Sequence, residues 1–190
     1  FDQQVIKPYR YDGYIDSAAA QIALAPAEKS AIISVAFEEA GPQTVTVGTS
    51  EDGELKWNGR ALTGFEVHWG TTIYFYGEFD RKPSALVNDG KERVFTFGSQ
   101  PGTVRFRYAI SLISSAQAKA SLRREIPGWD LDKIAAAGRA AWNERLGKVR
   151  VEGGTDDQKT VFYTALYRCY ERMIDITEDG RYCGWDKKVH

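Results

Sequence analysis

Residues 104–112 give the strongest indication of the fold and read Val104-Arg105-Phe106-Arg107-Tyr108-Ala109-Ile110-Ser111-Leu112. Large apolar side chains occupy almost every second position, and two arginines and a serine stand between them. When the pattern repeats every two residues, alternate side chains lie on opposite faces of an extended chain. The stretch therefore predicts a β-strand, and it shows the clearest alternation in the chain.

The sequence before this strand has the same character, with short runs rich in β-branched and aromatic residues. These runs are residues 21–25, 31–37, 44–48, 65–69, 71–79 and 94–97. Turn-forming pairs lie between them, at Asp52-Gly53, Asn58-Gly59, Lys82-Pro83 and Asp89-Gly90. Many short strands joined by tight turns are typical of antiparallel sheets and not of a parallel α/β sheet. We therefore predict a mainly β protein in which residues 1–113 form an antiparallel β-sandwich.

The period changes from two to about 3.6 at Ser114, which marks the start of helical structure. Ser114 and Gln117 form a capping-box pattern, in which each side chain satisfies a backbone N–H of the first turn. Asp130 is the predicted cap of a second helix, which ends at Gly147. Residues 114–152 are therefore predicted to be a helical linker.

A third helix is predicted from Thr155, which forms a second capping-box pattern with Gln158, to about Ile174. Its buried face is expected to carry Phe162, Leu166, Cys169 and Met173, which recur at helical spacing. Little sequence remains to cover so bulky a face. We therefore expect residues 153–190 to be the truncated start of a further domain.

Composition excludes several classes of function. The chain has 25 basic and 26 acidic residues, and a net charge of −1 gives no electrostatic footprint for nucleic acid. No apolar run is long enough to span a bilayer. Two cysteines, Cys169 and Cys183, can either form one bridge or stay reduced. With only two histidines and no Cys-x-x-Cys spacing, the chain is not expected to hold a metal alone.

The segment after the third helix is the candidate binding site. We predict substrate contacts from Asp179, Arg181, Tyr182, Trp185 and Asp186. Carboxylates and a guanidinium can bond adjacent sugar hydroxyls, and an aromatic ring can lie against the apolar face of a sugar. By composition alone a solvated loop is equally compatible, and Asp179 and Arg181 could simply brace it.

An ordered series of motifs gives this region a family resemblance. The motifs are residues 124–130 (REIPGWD), 140–144 (AAWNE), 151–158 (VEGGTDDQ), 162–167 (FYTALY), 179–182 (DGRY) and 186–190. Together they resemble glycoside hydrolase family 92, whose members are calcium-dependent, exo-acting α-mannosidases. Residues 73–83 resemble the amino-terminal sandwich of the same family.

The resemblance implies an architecture and a chemistry. It implies a β-sandwich, linker helices and an (α/α)₆ barrel, of which this chain would hold the first helix. It implies removal of α-1,2-linked mannose from glycans with inversion, by a carboxylic acid and a carboxylate about 6.5–9.5 Å apart. Both catalytic groups and the ligands of the calcium cofactor would lie in the remainder of the barrel, outside this chain. The chain alone would then be inactive, and the complete enzyme would be periplasmic or secreted.

A second reading is a non-catalytic sandwich that binds carbohydrate through exposed aromatic residues such as Trp57 and Trp69. The helix from Thr155 discriminates between the two readings, because a free-standing binding module has no use for a helix with an uncovered apolar face.

Overall fold

The computed structural model describes residues 2–49, 52–170 and 174–190. Strands occupy most of the first 111 positions, and three helices follow them. The strands are β1 (Asp2–Lys7), β2 (Arg10–Ile15), β3 (Ala20–Pro26), β4 (Ser30–Phe37), β5 (Thr44–Gly48), β6 (Asp52–Trp57), β7 (Ala61–His68), β8 (Thr71–Phe79), β9 (Ala85–Asp89), β10 (Glu92–Thr96) and β11 (Gly102–Ser111). The helices are α1 (Ser115–Glu125), α2 (Leu131–Leu146) and α3 (Asp156–Cys169), and a 3₁₀ turn covers Asp16–Ala18.

The strands form two antiparallel sheets. The larger has the order β1-β2-β3-β4-β11-β8-β7-β6, and the smaller has the order β5-β10-β9. Strand β11 lies in the middle of the large sheet, where it pairs with β4 on one side and β8 on the other. The prediction of a mainly β, antiparallel architecture is therefore confirmed.

One core lies between the two sheets. Phe95 of the small sheet is fully buried against large-sheet side chains that include Leu62, Phe79 and Phe106. The rings of Phe79 and Phe95 lie 4.8 Å apart between centroids, and those of Phe79 and Phe106 lie 4.6 Å apart. This packing makes the strand region a sandwich.

A second core lies on the opposite face of the large sheet, under the helices. Ala118, Leu122 and Ile126 pack with Ile32 and Ala109 of the sheet, and each of the five is fully buried. The molecule therefore has three layers, and β11 is covered on both faces. This explains why Arg107, on the polar side of the alternation, is only 4 % exposed.

The first predicted capping box forms only in part. The Ser114 hydroxyl accepts from the Gln117 N–H at 3.1 Å, as predicted. The Gln117 side chain does not return to Ser114, however, because the Ser114 N–H donates to the Ser111 hydroxyl at 3.2 Å. The glutamine amide is thereby left available for other partners.

The other two helices begin at their predicted caps. Asp130 accepts from the Lys133 N–H at 3.0 Å, and Thr155 and Gln158 make both bonds of a capping box. The predicted extension of the third helix to Ile174 is wrong, because α3 ends at Cys169 and Ile174 is not helical. Met173 of the predicted face lies outside the described residues.

Helix α3 has no buried residue. Phe162 remains 37 % exposed and Val161 70 % exposed. Its contact with α2 is aromatic, since the rings of Tyr167 and Trp142 lie 4.8 Å apart. The exposed apolar face of α3 agrees with the expectation that little of this chain covers it. That α3 belongs to a barrel remains a prediction.

One predicted turn is wrong. Asp52 and Gly53 lie inside β6 and pair with Val67 and Glu66 of β7. A Cβ atom on Gly53 would lie 2.4 Å from the Phe65 carbonyl oxygen, so the glycine permits close strand pairing and does not form a turn. The local pattern did not separate these two uses of glycine.

The two cysteines are not bridged: Cys169 is exposed and Cys183 is half-buried. No helix among residues 2–49, 52–170 and 174–190 has the length and apolarity needed to cross a membrane.

Candidate functional site

The predicted site residues lie in two consecutive turns near the end of the chain. In the first turn the N–H of Glu178 donates to the Arg181 carbonyl at 2.6 Å, and the reverse bond measures 3.1 Å. Asp179 and Gly180 adopt φ values of 52° and 77° between them. An Asp-Gly pair suits such a turn, because both central residues need positive φ.

A buried carboxylate anchors this first turn. Glu178 is 3 % exposed, and its two oxygens accept from the Ser111 hydroxyl and from the Leu112 N–H, the latter at 2.7 Å. The turn is therefore fixed to the end of β11. The composition of the segment did not distinguish Glu178 from its exposed neighbours, and the anchor was missed.

Two predicted site residues are held against α1. Asp179 accepts from the Gln117 side-chain amide at 2.6 Å and from Arg124 at 2.5 Å. Arg181 donates to the Gln117 side-chain oxygen at 2.5 Å. Gln117 is only 5 % exposed, whereas Asp179 and Arg181 are exposed. The bracing role considered for these two residues is thus present, and it leaves the guanidinium further N–H donors, since it has five in all.

The second turn covers residues 184–187, where the Lys187 N–H donates to the Gly184 carbonyl at 2.9 Å, and it holds Asp186 near His190. Asp186 Oδ1 lies 3.0 Å from His190 Nε2 and accepts from the Lys188 N–H at 3.1 Å. The hydrogen bond with His190, with help from the Lys188 N–H, lowers the pKa of the Asp186 carboxyl below its ordinary value. The rings of Tyr182 and His190 stack at 5.4 Å. Asp186 is therefore an oriented carboxylate that is ionised at neutral pH.

Trp185 is the most exposed of the predicted site residues, with its side chain entirely in solvent. Tyr182 is 43 % exposed. The first turn thus presents a braced carboxylate and guanidinium, and the second presents an oriented carboxylate beside two aromatic rings. These are side chains that can bond hydroxyl groups and cover an apolar ring face.

The described residues offer no candidate metal centre, since no group of three or more His, Cys, Asp or Glu side chains among them could hold an ion.

Trp57 and Trp69 were proposed as exposed rings on which a sugar could stack, and Trp57 does not have the expected exposure. It packs in the core between the sheets, 5.1 Å from the Phe95 ring, because β6 directs it toward the small sheet. Trp69 is 94 % exposed and follows β7 directly. Its ring lies 4.5 Å from that of His68.

Comparison with known proteins shows what this chain is similar to. Residues 117–190 match the model of the glycosyl hydrolase family 92 catalytic domain. The fold of the chain superposes on a family 92 inverting mannosidase from Bacteroides thetaiotaomicron with a TM-score of 0.87, at 26% identity over 99% of this chain and 30% of the other. A family 92 α-mannosidase from the same organism gives 0.86 at 20% identity, over 100% of this chain and 30% of the other.

A curated relative, described as an uncharacterized secreted glycosidase from Arthroderma benhamiae, is 35% identical over 84 residues. That match covers 42% of this chain and 11% of the relative. The resemblance to glycosyl hydrolase family 92 is therefore confirmed, and the segment from residue 117 onward matches its catalytic domain. The chain spans less than a third of the length of the solved relatives it matches.

Proposed function

We propose that the chain is the amino-terminal part of an exo-acting α-mannosidase that releases α-1,2-linked mannose from glycans with inversion. The observation that carries the proposal is the match of residues 117–190, which contain the candidate loop, to a glycosidase catalytic domain. The superposition on a protein named as an inverting mannosidase supports the stereochemistry. The relative described as secreted supports a secreted or periplasmic location.

In this proposal the chain contributes substrate binding and not the chemical step. Inversion needs a general acid and a general base on opposite sides of the sugar, separated by about 6.5–9.5 Å to admit a water molecule. These groups are expected in the remainder of the barrel. The first and second turns of this chain would bond the hydroxyls of the terminal sugar, and Tyr182 or Trp185 would lie against its ring.

Calcium is part of the proposal only for the complete protein. Calcium takes six to eight oxygen ligands, and the described residues provide no such cluster. The family resemblance implies that its ligands lie in the remainder of the barrel, and we expect them there.

A carbohydrate-binding module remains the second candidate, and one observation favours it. Trp69 is a large apolar ring almost entirely in solvent, and it lies in sequence outside residues 117–190, which match the catalytic domain. A sugar could stack on such a ring. If carbohydrate binding is the main function, the protein should hydrolyse no glycan. Mutation of Trp69 should then abolish its binding of glycans.

The test is an assay of the full-length protein on an aryl α-mannoside, with calcium and after treatment with a chelator. The proposal expects turnover that the chelator removes and that added calcium restores. The isolated 190-residue chain should give no turnover. Absence of activity in the full-length protein with calcium, or activity of the isolated chain that a mutation in this chain abolishes, would contradict the proposal.

A further inference from the structure

Gln117 occupies an unusual position for a residue of the first helical turn. At this position of a capping box the side chain ordinarily bonds the N–H of the cap. Here Ser111 takes over that N–H and also accepts from the Ile113 N–H at 2.9 Å. The nearly buried Gln117 amide points instead to the loop that follows α3.

The amide joins two groups of opposite character across the first turn. Its nitrogen donates to the Asp179 carboxylate at 2.6 Å, and its oxygen accepts from the Arg181 guanidinium at 2.5 Å. Asparagine and glutamine carry an acceptor and a donor in one plane, whereas an ionised glutamate only accepts. A glutamine is therefore suited to hold both partners, and a glutamate at this position would repel Asp179.

The geometry points to Gln117 as a positioning residue for substrate binding: it fixes Asp179 and Arg181 so that the guanidinium is held toward the sugar. This inference rests on the proposed function, because it assumes that the loop binds substrate. Arg124 supports the same carboxylate from α1, but about half of its side chain is exposed. The more buried Gln117 is the one that contacts both partners.

The substitution that tests this is Gln117→Glu in the full-length protein, because it preserves shape and removes the donor. We expect kcat/KM on the aryl α-mannoside to fall about tenfold, with little change in melting temperature. Hydrogen exchange of residues 178–190 should become faster, while exchange in β11 stays unchanged. Gln21→Glu is the matched control, since the exposed Gln21 side chain makes a similar bond to Glu38 at 2.9 Å. This control should change neither kcat/KM nor the exchange of residues 178–190.

A double-mutant comparison separates positioning from general stabilisation. If Gln117 acts through Arg181, then Gln117→Met should lower kcat/KM in the wild type and cause little further loss once Arg181→Ala is present. Additive losses, unchanged exchange in residues 178–190, or faster exchange with unchanged kcat/KM would each overturn the assignment. If the wild type hydrolyses no mannoside, the proposed function fails, and the exchange measurement still decides whether Gln117 holds the loop.

Discussion

At the scale of single residues, the most consequential feature is a buried ion pair that ties the sheet to the linker. Glu78 accepts from Arg107 at 2.7 Å, from Arg123 at 2.5 Å and from the Tyr76 hydroxyl at 2.6 Å. Arg107 also donates to the Ile126 carbonyl at 2.8 Å, just beyond α1. A buried pair of this kind is expensive to break, because either partner alone is an uncompensated buried charge.

Replacing Glu78 with glutamine should therefore lower the free energy of unfolding by about 3–5 kcal/mol, measured by urea denaturation of the chain. Burial alone would raise the pKa of Glu78, but bonds from Tyr76 and Arg107 and the charge of Arg123 outweigh it and lower the pKa below 4.5. Because the folded state holds the carboxyl ionised, its stabilisation is present above pH 4.5 and is lost as the pH falls through the lowered value.

The difference between wild type and Glu78→Gln should therefore shrink in acid. Glu54→Gln is the control, because Glu54 forms an exposed pair with Lys56. The substitution should change stability by less than about 1 kcal/mol. Equal effects of the two substitutions, or a difference that does not depend on pH, would contradict this account.

The predicted sugar contacts belong to the same scale. In the full-length protein, Arg181→Ala and Asp186→Ala should each lower kcat/KM by roughly 10- to 100-fold, since losing a charged hydrogen bond costs about 1.5–3 kcal/mol. Arg139→Ala, on the exposed side of α2, controls for loss of a positive charge. If both site variants keep full activity, or lose activity only because the protein unfolds, then residues 179–186 have a structural role and do not bind substrate.

Among the elements, the hydrogen bonds at the start of α1 affect two parts of the molecule. They cap the helix, and they leave the Gln117 side chain to contact the turn at residues 178–181. Ser114→Ala should destabilise the chain by about 1 kcal/mol, because the Gln117 N–H loses its acceptor. Ser114→Thr keeps a hydroxyl and should recover most of the stability. Urea denaturation of both variants measures this, and equal loss in both would show that the hydroxyl does not cap the helix.

The same helix start shows how far local sequence predicts structure. Caps and strand periodicity depend on neighbouring residues, so the start of each helix and seven of the strands could be predicted. The partners of the Gln117 side chain could not be predicted, because Asp179 and Arg181 are more than sixty positions away in the sequence. Likewise the burial of Arg107 follows from helices covering β11, which the alternation of that strand does not reveal.

At the scale of the whole molecule, the three layers depend on side chains that cross between them. Phe95→Ala should cost about 3–5 kcal/mol, because the fully buried ring carries the small sheet's contact with Phe79 and Trp57. Val87→Ala in the neighbouring strand β9 is the control, since Val87 is 57 % exposed and should change stability by less than about 0.5 kcal/mol. Thermal unfolding that responds equally to both would argue against a sandwich core at Phe95.

We propose that this sandwich and linker form the amino-terminal part of an inverting α-mannosidase. The test is hydrolysis of the methyl glycoside of an α-1,2-linked mannobiose by the full-length protein, followed by proton NMR of the anomeric signals. The methyl group fixes the anomeric centre of the second sugar, so the free mannose comes only from the cleaved bond. We expect β-mannose to appear first, and the α anomer to grow only as the product mutarotates. No hydrolysis in the presence of calcium, or α-mannose as the first product, would contradict it.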